Sequence, residues 1–181
     1  MILCLDTSSL AINIFLVENK KIVFQSNKKG KSQYLFEHLP ENLRQVSQVV
    51  VGTGPGSFTG LRVGITFAKV FCSIQKIPLS GVNSLDSFQN PESLPIYSRS
   101  RSGEVYEFNS QTKILKIIKE EDCVSQFVGP LNLEKSDCLD PVLFSPDPFL
   151  MISKADFTQD WNLIKPNYTR GSYAEEKSIV K

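Results

Sequence analysis

The chain has 181 residues, with 20 basic and 19 acidic side chains, one histidine, four cysteines and one tryptophan. At 41% hydrophobic and 22% charged residues it has the composition of a globular protein, neither disordered nor membrane-embedded. The lone His38 excludes a zinc hydrolase of the H-E-x-x-H type. The near-neutral total hides an asymmetry: residues 1–119 carry 14 basic and 8 acidic side chains, residues 120–181 carry 6 and 11. The cysteines, at 4, 72, 123 and 138, form no C-x-x-C pair. Asp6 interrupts the first apolar run too early for a signal peptide, and no apolar run reaches membrane-spanning length. The expectation is a cytoplasmic protein with reduced thiols and no membrane contact.

In chain order, Ile2–Thr7 reads as a buried strand ending in the polar turn Asp6-Thr7-Ser8-Ser9. Ala11–Val17 alternates through Ile12, Ile14 and Leu16, and Ile22–Phe24 follows the turn Asn19-Lys20, completing an antiparallel meander. Lys28-Lys29-Gly30-Lys31 reads as a solvated basic loop. Ser32 is placed to cap a helix through Tyr34, Leu35, Phe36, Leu39 and Leu43, which Pro40 would kink or shorten. Gln48–Val51 reads as a buried strand. A glycine-rich loop from Gly52 to Gly60 leads into a helix over about 58–76, stopped by Pro78 and followed by a strand at Leu79–Val82. Residues 89–95 are the best boundary. Beyond it, Leu94–Tyr97, Glu104–Phe108 and Lys113–Ile118 read as a second three-strand meander. After Glu120 the chain turns proline-rich and carries no readable topology.

Two stretches invite a chemical reading. Ser57 and Thr59 stand at the mouth of the helix after Gly52, Gly54 and Gly56, where free backbone N–H groups and the dipole favour an anion. The loop lacks G-K-[ST] and does not fit G-x-G-x-x-G, and composition alone favours a tight strand-to-helix turn with a serine or threonine cap. Asp6 is placed to orient a metal-bound water, with Thr7, Ser8 and Ser9 near phosphate oxygens; the matching second turn, Ser98 to Gly103, brings two arginines and no carboxylate. Asp6, Thr7, Ser8, Gly56, Ser57 and Thr59 are thus weak anion-site candidates, with no catalytic residue, metal site or cofactor assigned.

The helix over 58–76 is apolar around most of its circumference. Leu61, Ile65, Ala68 and Cys72 make one line, Val63, Phe67, Val70 and Ile74 another, while Arg62, Thr66, Lys69, Ser73 and Lys76 form a narrow polar stripe. Resting on one sheet needs only one apolar face. The second cover is either the helix starting at Ser32 or another subunit, and a fully buried helix gives the same pattern.

Several stretches resemble the TsaB (YeaZ) family: Leu3-Cys4-Leu5-Asp6-Thr7-Ser8, Lys31-Ser32-Gln33, the run from Gly54 to Gly64, Ile77-Pro78-Leu79 with Val82-Asn83-Ser84-Leu85, Gly103-Glu104-Val105-Tyr106, and Pro166-Asn167-Tyr168-Thr169-Arg170. The resemblance covers residues 1–109 well and thins thereafter. It implies an α/β, two-lobe ASKHA (actin-like ATPase, ribonuclease H-like) fold, with a first lobe over 1–90 and a reduced second lobe over 91–181. It also implies a non-catalytic subunit that activates a TsaD-like transferase in threonylcarbamoylation of the tRNA adenosine beside the anticodon. A TsaE-like ATPase would join that complex, tRNA would be met through it, and the chain alone would be a possible homodimer. The implied interface draws on Tyr34, Leu35, Leu39, Leu61, Ile65, Phe67, Ala68, Phe71 and Cys72. Where the family has a histidine this chain has Lys31, and where it has Asp-Ala-Arg this chain has Arg99-Ser100-Arg101. The alternative is a nucleotide-binding ASKHA enzyme, a small-molecule kinase or ATPase. Direct tRNA binding is not readable here, because the basic excess is modest and no aromatic-basic interleaving is present.

Overall fold

A computed structural model describes residues 1–9, 11–89, 94–101, 103–123, 128–129 and 145–168. The first sheet contains β1 (Ile2–Asp6), β2 (Ala11–Glu18), β3 (Lys21–Lys29), β4 (Gln48–Gly52) and β5 (Leu79–Val82), in the spatial order β3-β2-β1-β4-β5. β1, β2 and β3 form the antiparallel meander, and β4 and β5 run parallel to β1. Asn19 and Lys20 both take positive φ, the twist that a two-residue hairpin link requires. Central strands covered on both faces need apolar side chains on both, so Leu3 and Leu5 bury to one side and Cys4 to the other.

The helix α1 (Phe58–Gln75) covers the first face. Its ends are set locally: the Ser57 hydroxyl accepts from Gly60 N at 3.2 Å, and Lys76 turns into the left-handed region, φ 55°, ahead of Pro78. Leu61, Ile65, Ala68 and Cys72 point inward, onto Leu3, Leu5, Val49 and Val51.

Three findings bear on the expectations, and the first is a correction. The helix expected from Ser32 through Leu43 is instead two 3-10 turns, Ser32–His38 and Glu41–Gln45. Leu39 and Pro40 between them are extended, because the proline ring excludes the helical region for the residue before it. Seven residues are too few to sustain an α-helix alone, and Ser32 caps nothing; Lys31 holds that position without a side-chain bond. Secondly, the proline-rich segment contains α2 (Pro148–Ser153), capped by Asp147, whose carboxylate accepts from Phe149 N at 2.8 Å. Thirdly, described residues after 145 pack against the first sheet. Met151 packs with Cys4, Phe15, Val50 and Val82 on the far face of the first sheet. Thr158 exchanges two backbone bonds of 2.9 Å with Leu79, the Trp161 indole donates to Ile77 O at 3.1 Å, and Ile164 enters the core beneath α1. The chain therefore returns to close the lobe it began.

The second sheet is the expected meander of β6 (Ile96–Arg101), β7 (Glu104–Phe108) and β8 (Leu115–Lys119). Ile96, Tyr106 and Phe108 pack with Leu85 and Phe88 from the linking segment; Tyr97 and Val105 pack on the other face. Asp86 ties the units together, accepting from Lys113 at 2.6 Å and Lys154 at 2.9 Å. Asn90 to Ser93 of the boundary, Cys138, Pro130 and Pro141 lie outside the described residues. Among the described residues no helix is long and apolar enough to cross a membrane.

Candidate functional site

Two places absorb the sequence candidates: the turn after β1, and the outer side of α1. Asp6, Thr7 and Ser8 are buried at that turn. The Ser8 N–H and hydroxyl both donate to Asp6 Oδ1, at 2.8 and 2.6 Å. The Thr7 hydroxyl donates to Gly60 O at 2.7 Å, and Ser57 N donates to Ser8 O at 2.6 Å. A Cβ on Gly56 would stand 2.1 Å from Ser8 O, and one on Gly60 2.0 Å from Thr7 O. The glycines of the loop thus let the start of α1 settle directly onto the turn. The chain's own carbonyls and hydroxyls take the donors that an anion would need, and of the six anion candidates only Ser57 and Thr59 reach the surface as exposed residues.

Asp6 has one unsettled atom. Its Oδ2 is buried with no hydrogen-bond partner, in a niche where a Cβ on Gly52 would stand 1.8 Å away and 2.7 Å from the Ser84 hydroxyl. Burial pushes the carboxyl above the usual carboxylate range; the Ser8 and Ser84 hydroxyls and the Ser8 N–H pull the other way. Burial likewise pushes the thiols of Cys4 and Cys72 up to about 12, so neither is a nucleophile in its core position. Among the described residues no three His, Cys, Asp or Glu side chains come together as metal ligands would. His38 ends the first 3-10 turn, half-buried.

The outer side of α1 is different. Of the nine interface candidates, Leu35, Leu61, Ile65, Ala68 and Cys72 are 0–4% exposed, packed within this chain's own core, and present no surface. Tyr34 is exposed, and Leu39, Phe67 and Phe71 are half-buried. What the candidate set missed are Phe36, Val70 and Ile74, exposed by 67%, 53% and 74%. Phe36 meets Phe67 edge-on at 5.8 Å, and Phe67 stacks with Phe71 at 5.7 Å. An apolar strip therefore runs from the first 3-10 turn across Phe67 and Phe71 to Val70 and Ile74. Val70 and Ile74 belong to the second apolar line of the sequence pattern, so the signal was present; the inward line had taken its place.

The polar flank of α1 meets the returning chain. Arg62 lies 3.9 Å over the Phe58 ring and donates from Nε to the Tyr168 hydroxyl at 3.1 Å, while Tyr168 packs against Phe58 at 5.0 Å. Asn167 N donates to Thr53 O at 2.7 Å, so Pro166-Asn167-Tyr168 fastens the chain over the glycine loop. Thr169 and Arg170 lie outside the described residues.

Comparison with known proteins gives concordant results. Residues 33–120 match the family model described as TsaD, tRNA N6-adenosine threonylcarbamoyltransferase. The chain is 25% identical to the tRNA threonylcarbamoyladenosine biosynthesis protein TsaB of Bacillus subtilis (strain 168), covering 98% of this chain and 97% of that protein. The protein of the same name from Buchnera aphidicola subsp. Schizaphis graminum is 28% identical over 47% of this chain and 45% of its own length. Among solved structures, YeaZ from Pseudomonas aeruginosa superposes with a TM-score of 0.63 at 18% identity, covering 92% of this chain and 98% of that one. A second, described as similar to peptidase YeaZ from Pseudomonas aeruginosa, gives 0.68 at 17% identity, over 93% and 99%. The fold is the ASKHA-like α/β fold of these neighbours. Near full-length similarity to TsaB of Bacillus subtilis and the shared fold of the YeaZ structures make the TsaB (YeaZ) proteins what this chain is similar to.

Proposed function

We propose that the chain is a partner subunit in threonylcarbamoyladenosine modification of tRNA, binding and activating a TsaD-like transferase without performing the transfer itself. The observation that carries this reading is the strip of Phe36, Phe67, Val70, Phe71 and Ile74. Large apolar side chains gathered on one exposed face are what a protein interface buries, with aromatics at its centre. The names of the similar proteins supply the partner's identity and the pathway. The first lobe, over 1–90 with residues 147–168 returning to it, carries the strip; the reduced second lobe between them carries none of it. A TsaE-like ATPase would then act on the assembled pair, and the isolated chain would use the same strip to pair with itself.

The turn after β1 supports the non-catalytic part of the reading, since the Thr7 hydroxyl and the Ser57 N–H are spent on the chain's own carbonyls and both Ser8 donors on Asp6. Asp6 Oδ2 is the one feature that favours the alternative of a nucleotide-binding enzyme.

The test is co-purification with the TsaD of the same source. Val70→Asp and Ile74→Asp change exposed side chains, so both variants keep the wild-type melting temperature and lose capture of TsaD. Failure of the wild-type pair to co-purify, or capture undiminished in both variants, sinks the proposal.

A further inference from the structure

We propose that the free edge of the first sheet, from Lys20 to Lys31, is a binding surface for the phosphate backbone of RNA. Lys20, Lys21, Lys28, Lys29 and Lys31 are exposed, and no acidic residue occurs between Glu18 and Glu37. Among the described residues β3 ends the sheet with β2 as its one neighbour, so its outward N–H groups face away from the sheet. At about 3.3 Å per residue the lysines at its two ends, Lys21 and Lys29, stand roughly 26 Å apart, a track rather than a single-ion pocket. Lys28 and Lys29 lie opposite Ile12 and Ala11 and point to alternate faces, so positive charge wraps the edge. Gln25 donates to Asn27 and Asn27 donates to Ser145, so the lysines carry the charge of this stretch.

A lysine or two on an edge strand is an ordinary guard against strand pairing. The other edges of this chain show what that looks like. β8 carries Lys116 and Lys119 but is followed by Glu120 and Glu121, and Lys119 pairs with Glu121 at 3.1 Å. β5 is four residues long and is bridged by Thr158. The β3 edge has five cations, none in an ion pair among the described residues. Unmatched positive charge of this density fits a polyanion. RNA is the polyanion favoured by position: the stretch continues from Lys31 through Leu35, buried in the core, to Phe36 on the proposed partner face. This choice of polyanion rests on the partner reading above, because it places the lysines beside an enzyme whose substrate is tRNA.

The experiment is fluorescence anisotropy of a labelled, unmodified tRNA transcript with the full chain at several salt concentrations. Against the wild type, the variant Lys28→Ala/Lys29→Ala/Lys31→Ala loses roughly tenfold or more in affinity at low salt, and its slope of log affinity against log salt falls by about 2–3. Lys116→Ala leaves both unchanged. Equal affinity in the triple variant, no saturable binding by the wild type, or displacement of the tRNA by a charge-matched polyglutamate overturns the proposal. TsaD capture by the same triple variant stays at the wild-type level, so failure of the RNA surface is distinguishable from failure of the partner reading.

Discussion

Two lines of apolar side chains run along α1 and meet opposite environments. Leu61, Ile65, Ala68 and Cys72 lie against the sheet, while Phe67, Val70, Phe71 and Ile74 lead outward and end in solvent. Hydrophobicity does not separate them, since both lines are apolar from end to end. Size does. Gly60, Gly64, Ala68 and Cys72 follow one another every four residues, and this row of small side chains marks the face that approaches another backbone closely. A Cβ on Gly64 would stand 2.2 Å from the Thr7 hydroxyl. The outward line has no such row, and its bulk is available to something outside the chain.

Three further substitutions probe this contrast, from the largest effect to the smallest. Leu61→Ala removes a side chain from the inward line and costs about 2–5 kcal/mol by denaturant unfolding. Ile74→Ala on the outward line stays within about 0.5 kcal/mol. Equal losses at the two positions would erase the distinction. Gly60→Ala forces a methyl against Thr7 O and costs about 1–3 kcal/mol, although alanine is the better helix former. Gly30→Ala, where a Cβ meets nothing within 4 Å, is its neutral control. A tolerated Gly60→Ala would mean that α1 does not depend on close contact with the turn.

A pH-dependent effect concerns Asp6, which organises that turn. Its folded-state pKa is raised, so the folded chain binds a proton that the unfolded chain has released. The associated stability is fully present below the unfolded carboxylate value and is lost as pH rises through the raised one. Asp6→Asn keeps the acceptor for Ser8 and gives the buried side an amide, so it melts higher than the wild type at pH 8, by about 1 kcal/mol. The advantage shrinks at pH 5. A variant that melts lower at both pH values would mean the ionised carboxylate is itself holding the turn together.

Much of the fold was legible because it rests on local signals. The alternation in Ala11–Val17, the Asn19-Lys20 turn and the Gly54–Gly64 run each map onto one element. The elements read poorly were short. α2 has six residues, fewer than two turns, so no periodicity shows, although Asp147-Pro148 is a helix-start pair. The segment from Ser32 has helical composition, yet Pro40 leaves it too little length. On α1, the sequence pattern revealed two apolar lines but not which of them faced out, because that depends on where the turn carrying Thr7 packs. The basic edge was hidden for a similar reason. A modest charge excess becomes a surface only when one strand ends the sheet and gathers three lysines along it, with Lys20 and Lys31 beyond its ends.

The return of residues 147–168 onto the first sheet also sets the order in which the chain can become stable. Met151 and Ile164 fill cores founded by residues near position 5, so those cores stay open on the ribosome until nearly the whole chain has emerged. Cutting at the 89–95 boundary would leave a fragment holding five strands and α1, with Cys4, Phe15 and Val50 uncovered on its far face. The sheet that precedes this boundary therefore draws part of its cover from residues that follow it.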